Sequence, residues 1–137
     1  MNIATELKTL GLNPDNCVVI GSGILSALGI RESGDIDVVA SKHKYDSLSK
    51  LDRFKMKVAP GREMLDDGLF EIGTSWGVMD KDQTFEDLSK NSIMIDGVRY
   101  ITIEFLLNVK KSWLQDDDVR QKDINDVALI SAYLSKP

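Results

Sequence analysis

A Gly-Ser pair followed by two aspartates is the part of this sequence best suited to chemistry. Gly21 and Ser22 end the apolar run VVIGS, and Asp35 and Asp37 open the next apolar run, DIDVV. Where a helix begins at Ser22, its first backbone N–H groups have no partner within the helix and can bind an anion. Two aspartates spaced i, i+2 on a strand leave the same face and supply the oxygen ligands that Mg²⁺ prefers. The stretch can therefore hold a phosphate group and a metal ion together.

A third acid would complete such a site, and Glu71 is the best-placed candidate. It lies in the otherwise apolar run LFEIGTSW, and an acid in an apolar strand must face a polar site, a partner or solvent. Two interpretations stay open: Glu71 lies beside Asp35 and Asp37, or it points to water. Asp66 and Asp67 have a simpler local explanation, because they fit a turn.

Hydrophobic periodicity and turn residues predict the elements that must position these side chains. The run Val18–Ile20 predicts a buried strand, and Ser22 is expected to cap a short helix that Gly29 ends. Further strands are predicted over Ile36–Ala40, FKMKV with its end at Pro60-Gly61, LFEIGTSW, and a hairpin of Ser92–Ile95 and Val98–Ile103 around Asp96-Gly97. Helices are predicted over residues 2–10, from Ser41, from Thr84 to Lys90, over 104–113 and over 119–134. Residues 1–137 are expected to form a single α/β (α+β) domain, with a core over 1–91 and a hairpin plus two closing helices over 92–137.

Composition and charge argue against several classes of function. The 137 residues include 22 acidic and 17 basic side chains and carry a net charge of −5. This balance argues against a protein that grips long nucleic acid by neutralising phosphates. Cys17 is the sole cysteine, which fits a reducing compartment. The N-terminal MNIATELKTLG lacks a targeting pattern, and no apolar run approaches the roughly 20 residues needed to span a bilayer. We therefore expect a cytoplasmic protein without a membrane partner.

Other catalytic motifs are weak or missing in the sequence. There is no G-x-x-x-x-G-K-[ST] P-loop, and Gly21-Ser22-Gly23 lacks the spacing of G-x-G-x-x-G. An aspartyl-nucleophile phosphatase is disfavoured because both aspartates fall at the start of their strand. One histidine, His43, and one cysteine cannot furnish a zinc site or a histidine-based triad. Trp76 and Trp113 fit base stacking and core packing equally well.

The stretch VVIGSGILSALGIRESGDIDVVAS resembles the signature of the nucleotidyltransferase superfamily, which has the polymerase-β-like fold. In that signature an apolar strand ends in Gly-Ser or Gly-Gly, and an apolar-flanked D-x-D follows. The tail MIDGVRYITIEFLLNVKKSWLQDDDVRQKDINDVALISAYL resembles that of small bacterial minimal nucleotidyltransferase-like proteins. The resemblance implies a mixed β-sheet with helices packed mainly on one side, and it leaves most of residues 42–68 unmatched.

The same resemblance implies roles for individual residues. Gly21 and Ser22 would hold the β- and γ-phosphates of an NTP, and Asp35 and Asp37 would bind two Mg²⁺ ions, which Mn²⁺ can replace. Glu71 would ligate one metal and orient or deprotonate the attacking hydroxyl. Candidates for neutralising the triphosphate are Lys110, Arg120 and Lys122. Arg31 is expected either to contact phosphate or to pair with Glu32, and Asp123 and Asp126 to anchor the last helix through hydrogen bonds.

Two functions are compatible with these expectations. The first is Mg²⁺-dependent transfer of a nucleoside monophosphate from an NTP to a hydroxyl group of a protein, a tRNA or a small molecule. The second is a noncatalytic antitoxin or regulatory binding module, with a toxin as its partner. The position of Glu71 is expected to separate the two.

Overall fold

The computed structural model describes residues 1–59 and 62–136. Helices in the described part of the chain are α1 (Ile3–Thr9), α2 (Gly23–Ala27), α3 (Lys42–Leu48), α4 (Phe85–Ser89), α5 (Ile103–Trp113) and α6 (Gln121–Leu134). Strands there are β1 (Cys17–Ile20), β2 (Ile36–Ala40), β3 (Lys55–Ala59), β4 (Arg62–Asp66), β5 (Phe70–Gly73), β6 (Ser75–Val78), β7 (Lys81–Thr84), β8 (Ser92–Ile95) and β9 (Val98–Ile101). The predicted end of β3 at Pro60-Gly61 lies outside the described residues.

Seven of these strands form one mixed sheet in the order β3-β4-β5-β2-β1-β9-β8. β1 pairs antiparallel with β2 and parallel with β9, and β2 pairs parallel with β5. All four residues of β1 are buried, because this β-branched run lies at the centre of the sheet and is covered on both faces. The predicted α/β fold with a mixed sheet is confirmed. None of the helices in residues 1–59 and 62–136 has the length and apolar character required to cross a membrane.

The hairpin predicted around Asp96-Gly97 is confirmed. Asp96 has φ +50° and Gly97 has φ +76°, as a two-residue turn of type I′ requires. The second hairpin strand, β9, lies directly beside β1. The C-terminal segment therefore completes the same sheet that carries the Gly-Ser and D-x-D residues.

The prediction that LFEIGTSW forms one strand is wrong. The chain leaves the large sheet after Gly73, and Ser75–Val78 pairs instead with β7 in a separate two-stranded sheet. Trp76 accounts for the change, because its ring is buried against Phe105 and Trp113, with centroid distances of 6.4 and 6.2 Å. Burial of a large aromatic ring outweighs continuation of the strand.

Caps predicted from sequence fix the helix starts. Thr84 and Asp87 form a reciprocal capping box at α4, and the Ser41 hydroxyl accepts a hydrogen bond from the Lys44 backbone N–H at α3. A further cap, which was not predicted, is Thr102 at α5, whose hydroxyl accepts a hydrogen bond from the Phe105 backbone N–H. The two closing helices pack on each other, and they form one wall of the site described next.

Candidate active site

One cleft of about 330 Å³ collects nearly all of the residues singled out in the sequence. It opens where β1, β2 and β5 meet the two closing helices. We call it the central cleft, and it is lined by Ile20, Gly21, Ser22, Asp35, Asp37, Met64, Glu71, Trp76, Lys110, Trp113, Arg120 and Lys122. Every predicted site residue except Arg31 is in this lining.

The acids of the cleft are brought together by strand register. In the parallel pairing of β2 with β5, Asp37 lies directly opposite Glu71, so both side chains leave the same face of the sheet. Asp35 lies just before β2, is exposed to solvent and also lines the cleft. Glu71 is therefore next to the D-x-D in the sheet, which was one of the two interpretations left open by the sequence.

Gly21 provides a close approach of backbone to the D-x-D. Its φ of +64° is in the left-handed region, and a Cβ placed there would lie 3.0 Å from Oδ2 of Asp37. Glycine is the residue that satisfies both conditions without strain. The turn after β1 thus packs against the carboxylate that the D-x-D presents to the cleft.

The Ser22 side chain does not cap α2, although the residue lies at the N-cap position. Its Oγ lies 2.9 Å from Oγ of Ser33, and Ser33 donates to the backbone carbonyl of Asp35 at 2.8 Å. Because the Ser33 hydroxyl hydrogen goes to that carbonyl, Ser22 must be the donor in the first of these hydrogen bonds. The two buried serines thereby tie the Gly-Ser turn to the D-x-D.

We expect Ser33→Ala to lower the free energy of unfolding by about 1–2 kcal/mol. The change removes the partner of a buried hydroxyl and of a backbone carbonyl, and an unsatisfied buried group carries this penalty. Chemical denaturation of both proteins measures the difference. Ser47→Ala, which removes an exposed hydroxyl on α3, is the control and should stay within about 0.5 kcal/mol of wild type. An equal loss in both variants would contradict a linking role for Ser33.

Glu71 has a specific partner in this structure. Lys57 of β3 donates to Oε1 of Glu71 at 2.7 Å, and the two side chains are 48% and 30% exposed. The hydrogen bond to Glu71 raises the pKa of Lys57. Glu71 therefore neither points freely to water nor stands beside Asp37 without a counter-charge.

A buried network of charged side chains joins α5 to α6 in the wall of the central cleft. Nζ of Lys110 lies 2.9 Å from Oδ1 of Asp123 and 2.9 Å from Oδ2 of Asp126. All three side chains are at most 4% exposed. The expectation that the two aspartates anchor the last helix agrees with these contacts. Lys110 lines the cleft with most of its charge already compensated.

Two arginines complete this network from opposite ends. Arg31 donates two hydrogen bonds to Asp126 at 2.7 and 2.8 Å, and Arg120 donates to Asp123 at 3.0 and 3.3 Å. Burial raises the pKa of each aspartate, but the hydrogen bonds and positive charges outweigh it, so both pKa values lie below the ordinary value. Both acids are therefore ionised at neutral pH.

Arg31 is not in the lining of the cleft, and its described side-chain partners are Asp126 and the backbone carbonyl of Glu32. The sequence left open a contact of Arg31 with phosphate or a pairing with Glu32, whereas its ion pair with Asp126 joins the turn before the D-x-D to α6. Arg120 and Lys122 do line the cleft, and both are exposed. They are the accessible basic residues of the predicted set.

Comparisons with known proteins bear on the fold. No protein-family model and no curated protein matches the sequence. Two solved structures of ANT(2'')-Ia, an aminoglycoside nucleotidyltransferase, match the structure with a TM-score of 0.58 and 16% sequence identity. One is a solution structure and the other a crystal structure with adenylyl-2''-tobramycin. The matches cover 88% of this chain and 75% and 80% of those chains.

The chain has a nucleotidyltransferase-like fold. At 16% identity the similarity establishes the fold, and the fold confirms the resemblance seen in the Gly-Ser and D-x-D stretch. Roles of individual residues in this nucleotidyltransferase-like fold rest on the geometry of the cleft itself.

The carboxylates in the cleft of this nucleotidyltransferase-like fold have donor chemistry that fits Mg²⁺. Asp35, Asp37 and Glu71 offer oxygen ligands, and Mg²⁺ is commonly held by one or two carboxylates together with substrate phosphates and water. Across residues 1–59 and 62–136, no three His, Cys, Asp or Glu side chains form a group that could hold a metal ion. Asp35 and Asp37 are the donors that fit without moving Glu71 away from Lys57.

Sequence reasoning missed three contributors to this site. Ser33 gave no signal beyond a turn, and Met64 and Lys57 belong to strands that lie far from the motif in sequence. The alternation in FKMKV did indicate that Lys57 stands on one face of a strand, but the partner of that face depends on the order of strands in the sheet. Trp76 and Trp113 both pack on each other and line the cleft.

Proposed function

We propose that this protein transfers a nucleoside monophosphate from an NTP to a hydroxyl acceptor in a reaction that depends on Mg²⁺. One observation carries the proposal, namely that a single cleft collects all the groups that the reaction needs. It is lined by the Gly-Ser turn, both aspartates of the D-x-D, Glu71, and the exposed basic residues of α6 and its N-cap. These groups come from four separate parts of the chain. Packing alone does not require carboxylates and exposed cations to converge on one cavity.

The basic residues of the cleft are proposed to bind the triphosphate. Arg120 and Lys122 are exposed at its rim. Lys122 can neutralise phosphate oxygens, and Arg120 can do so with the part of its guanidinium group that does not donate to Asp123. Gly21 has no side chain of its own and Asp37 lies against it, so a phosphate bound at this turn would lie beside the proposed metal ligand Asp37. Lys110 contributes mainly by fixing α5 against α6, because two carboxylates already accept hydrogen bonds from its ammonium group.

The proposed reaction is an in-line displacement at the α-phosphorus. The acceptor hydroxyl oxygen forms a bond to that phosphorus, the bond to the bridging oxygen breaks, and pyrophosphate leaves. Asp35 and Asp37 would hold Mg²⁺, which when bound stabilises charge on the entering and leaving oxygens. Glu71 lies beside Asp37 and is proposed to be both a further ligand of the metal and the acceptor of the hydroxyl proton.

The acceptor is proposed to be a small molecule that bears a hydroxyl group. ANT(2'')-Ia, which shares the fold, has been crystallised with adenylyl-2''-tobramycin, a nucleotidylated small molecule. This supports the choice of a small acceptor over a protein side chain or a tRNA end. The net charge of −5 also disfavours a large polyanionic acceptor.

The test is transfer of label from each of the four α-labelled NTPs in the presence of Mg²⁺ and a cell extract. The extract is divided beforehand by ultrafiltration into a small-molecule fraction and a macromolecular fraction. We expect label in a small-molecule product with the first fraction, and none when EDTA is added. Label found only with the macromolecular fraction would support the transferase activity but contradict a small-molecule acceptor. Absence of label with both fractions would contradict the transferase activity.

A second candidate function is a noncatalytic nucleotide-binding or regulatory module. The observation that favours it is the ion pair of Glu71 with Lys57, which engages the proposed third acid. Such a module would still be stabilised by an NTP with Mg²⁺, by about 2.7 kcal/mol when the ligand is at a hundred times its Kd. Thermal stabilisation without any transfer of label would favour this function over the enzyme.

A further inference from the structure

The ion pair of Lys57 with Glu71 joins the edge of the sheet to the cleft. Lys57 is on β3, the outer strand, and Glu71 is on β5, with β4 between them. Cross-strand partners share a face, and Lys57 lies opposite Met64, which lines the central cleft. The lysine side chain therefore crosses over β4 on the cleft side, and its ammonium group reaches Oε1 of Glu71 at 2.7 Å.

The ammonium group of Lys57 therefore contacts the carboxylate of Glu71, which the proposed reaction assigns to metal binding and proton transfer. Glu71 lies opposite Asp37 in the strand pairing, and Asp66 lies opposite Glu71 on its other side. Three acidic positions thus follow one another across adjacent strands. Without a cation these carboxylates repel one another, because like charges on directly opposite residues are destabilising. Lys57 supplies a cation to Glu71, the central member of the three, and Lys55 lies opposite Asp66.

We propose that Lys57 is a positioning residue that holds Glu71 in the cleft before metal binds and competes with the metal for that carboxylate. The inference rests on the proposed function. A metal ion that binds Oε1 of Glu71 would have to displace the ammonium group of Lys57. A metal ion that binds Oε2 would be repelled by the ammonium group, which would remain on the other oxygen of the same carboxylate. In either case the ion pair weakens metal binding and keeps Glu71 oriented until the metal arrives.

The experiment measures Mn²⁺ affinity of the nucleotide-free protein by water proton relaxation. We expect Lys57→Met to bind Mn²⁺ about threefold to fivefold more tightly than wild type, the range set by a partly exposed ion pair. Lys57→Arg, which keeps the positive charge, should retain an affinity close to wild type. In a Glu71→Gln background, Lys57→Met should have no further effect, since the competing carboxylate is gone.

Lys55→Met is the matched control, because Lys55 lies two residues away on the same face of β3, where its cross-strand partner is Asp66, and it has no described contact with Glu71. It removes the same charge from the same strand. Equal affinities in Lys57→Met and wild type, an equal gain in Lys55→Met, or a gain that persists with Glu71→Gln would each overturn the inference while leaving the proposed function standing. Absence of Mn²⁺ binding in wild type and in every variant would overturn the metal-dependent function, and the inference with it.

Discussion

Asp37→Asn is expected to lower the rate of nucleotidyl transfer by about 10³-fold with little change in stability. Asp37 lies beside Glu71 in the sheet and against the Gly21 turn, so it is central to the proposed metal site. Stabilisation of charge by bound metals contributes several kcal/mol to such reactions, and each 1.36 kcal/mol corresponds to a factor of ten in rate. The amide is nearly isosteric but lacks the negative charge.

The measurement is the initial rate of label transfer from an α-labelled NTP, with the thermal midpoint of each protein as the check on folding. Asp46→Asn, an exposed acid on α3 paired with Lys42, is the control and should keep the wild-type rate. A rate for Asp37→Asn within about threefold of wild type would contradict the assigned role of the D-x-D. Loss of stability in step with loss of rate would mean that Asp37 acts through the fold.

Lys110→Met should lower the free energy of unfolding by about 3–5 kcal/mol, the largest effect on stability that we expect for one substitution. Lys110 is buried and bridges Asp123 and Asp126. Its removal leaves two buried carboxylates with reduced compensation, and breaking a buried ion pair from one side carries a penalty of this size. Urea denaturation at neutral pH measures the loss. Lys111→Met, the exposed neighbour on the same helix, should stay within about 0.5 kcal/mol of wild type.

The pH dependence of the free energy of unfolding provides a second measurement on the network of Lys110, Asp123 and Asp126. The pKa values of Asp123 and Asp126 are lower in the folded protein than the ordinary value of 3.8. Their contribution to stability is therefore complete well above pH 3.8 and is lost as the pH falls through the lower folded values. The deficit of Lys110→Met relative to wild type should shrink over the same range, because protonated aspartates need no counter-charge. A constant deficit at all pH values would contradict the assignment of the loss to this network.

The buried network also explains how the cleft acquires its shape. Asp126 accepts hydrogen bonds from Arg31, just ahead of the D-x-D, and from Lys110 on α5. Three segments distant in sequence are thereby joined behind the cleft wall. Arg120 and Lys122 can face a ligand because the neighbouring Asp123 fixes the first turn of α6.

Several site features could be predicted from the sequence because they depend on local chemistry. Strand β2 begins after Asp35 and buries all of its apolar residues, so Asp35 and Asp37 are presented at its start. The turn at Asp96-Gly97 and the caps at Ser41 and Thr84 follow from the backbone preferences of those residue types. Each of these signals is complete within a few residues.

Other features could not be predicted because they depend on which strands and helices become neighbours. Trp76 leaves the line of β5 to pack against Phe105 and Trp113, and nothing within LFEIGTSW distinguishes that outcome from one continuous strand. Strand β7 has four polar residues, KDQT, and exists because β6 pairs with it. The partner of Arg31 could not be predicted for the same reason, because Asp126 lies 95 positions away in the sequence.

The sequence by itself determined the sheet strands that carry the Gly-Ser turn and the D-x-D, and with them the nucleotidyltransferase-like character of the fold. Only the tertiary structure decided that Glu71 lies opposite Asp37, that Lys57 occupies its carboxylate, and that Arg31 supports α6 instead of the cleft. The physical reason is the range of the interactions. Periodicity, capping and turn preferences act over a few residues, whereas the partner of a charged side chain is set by strand order and helix packing across the whole chain.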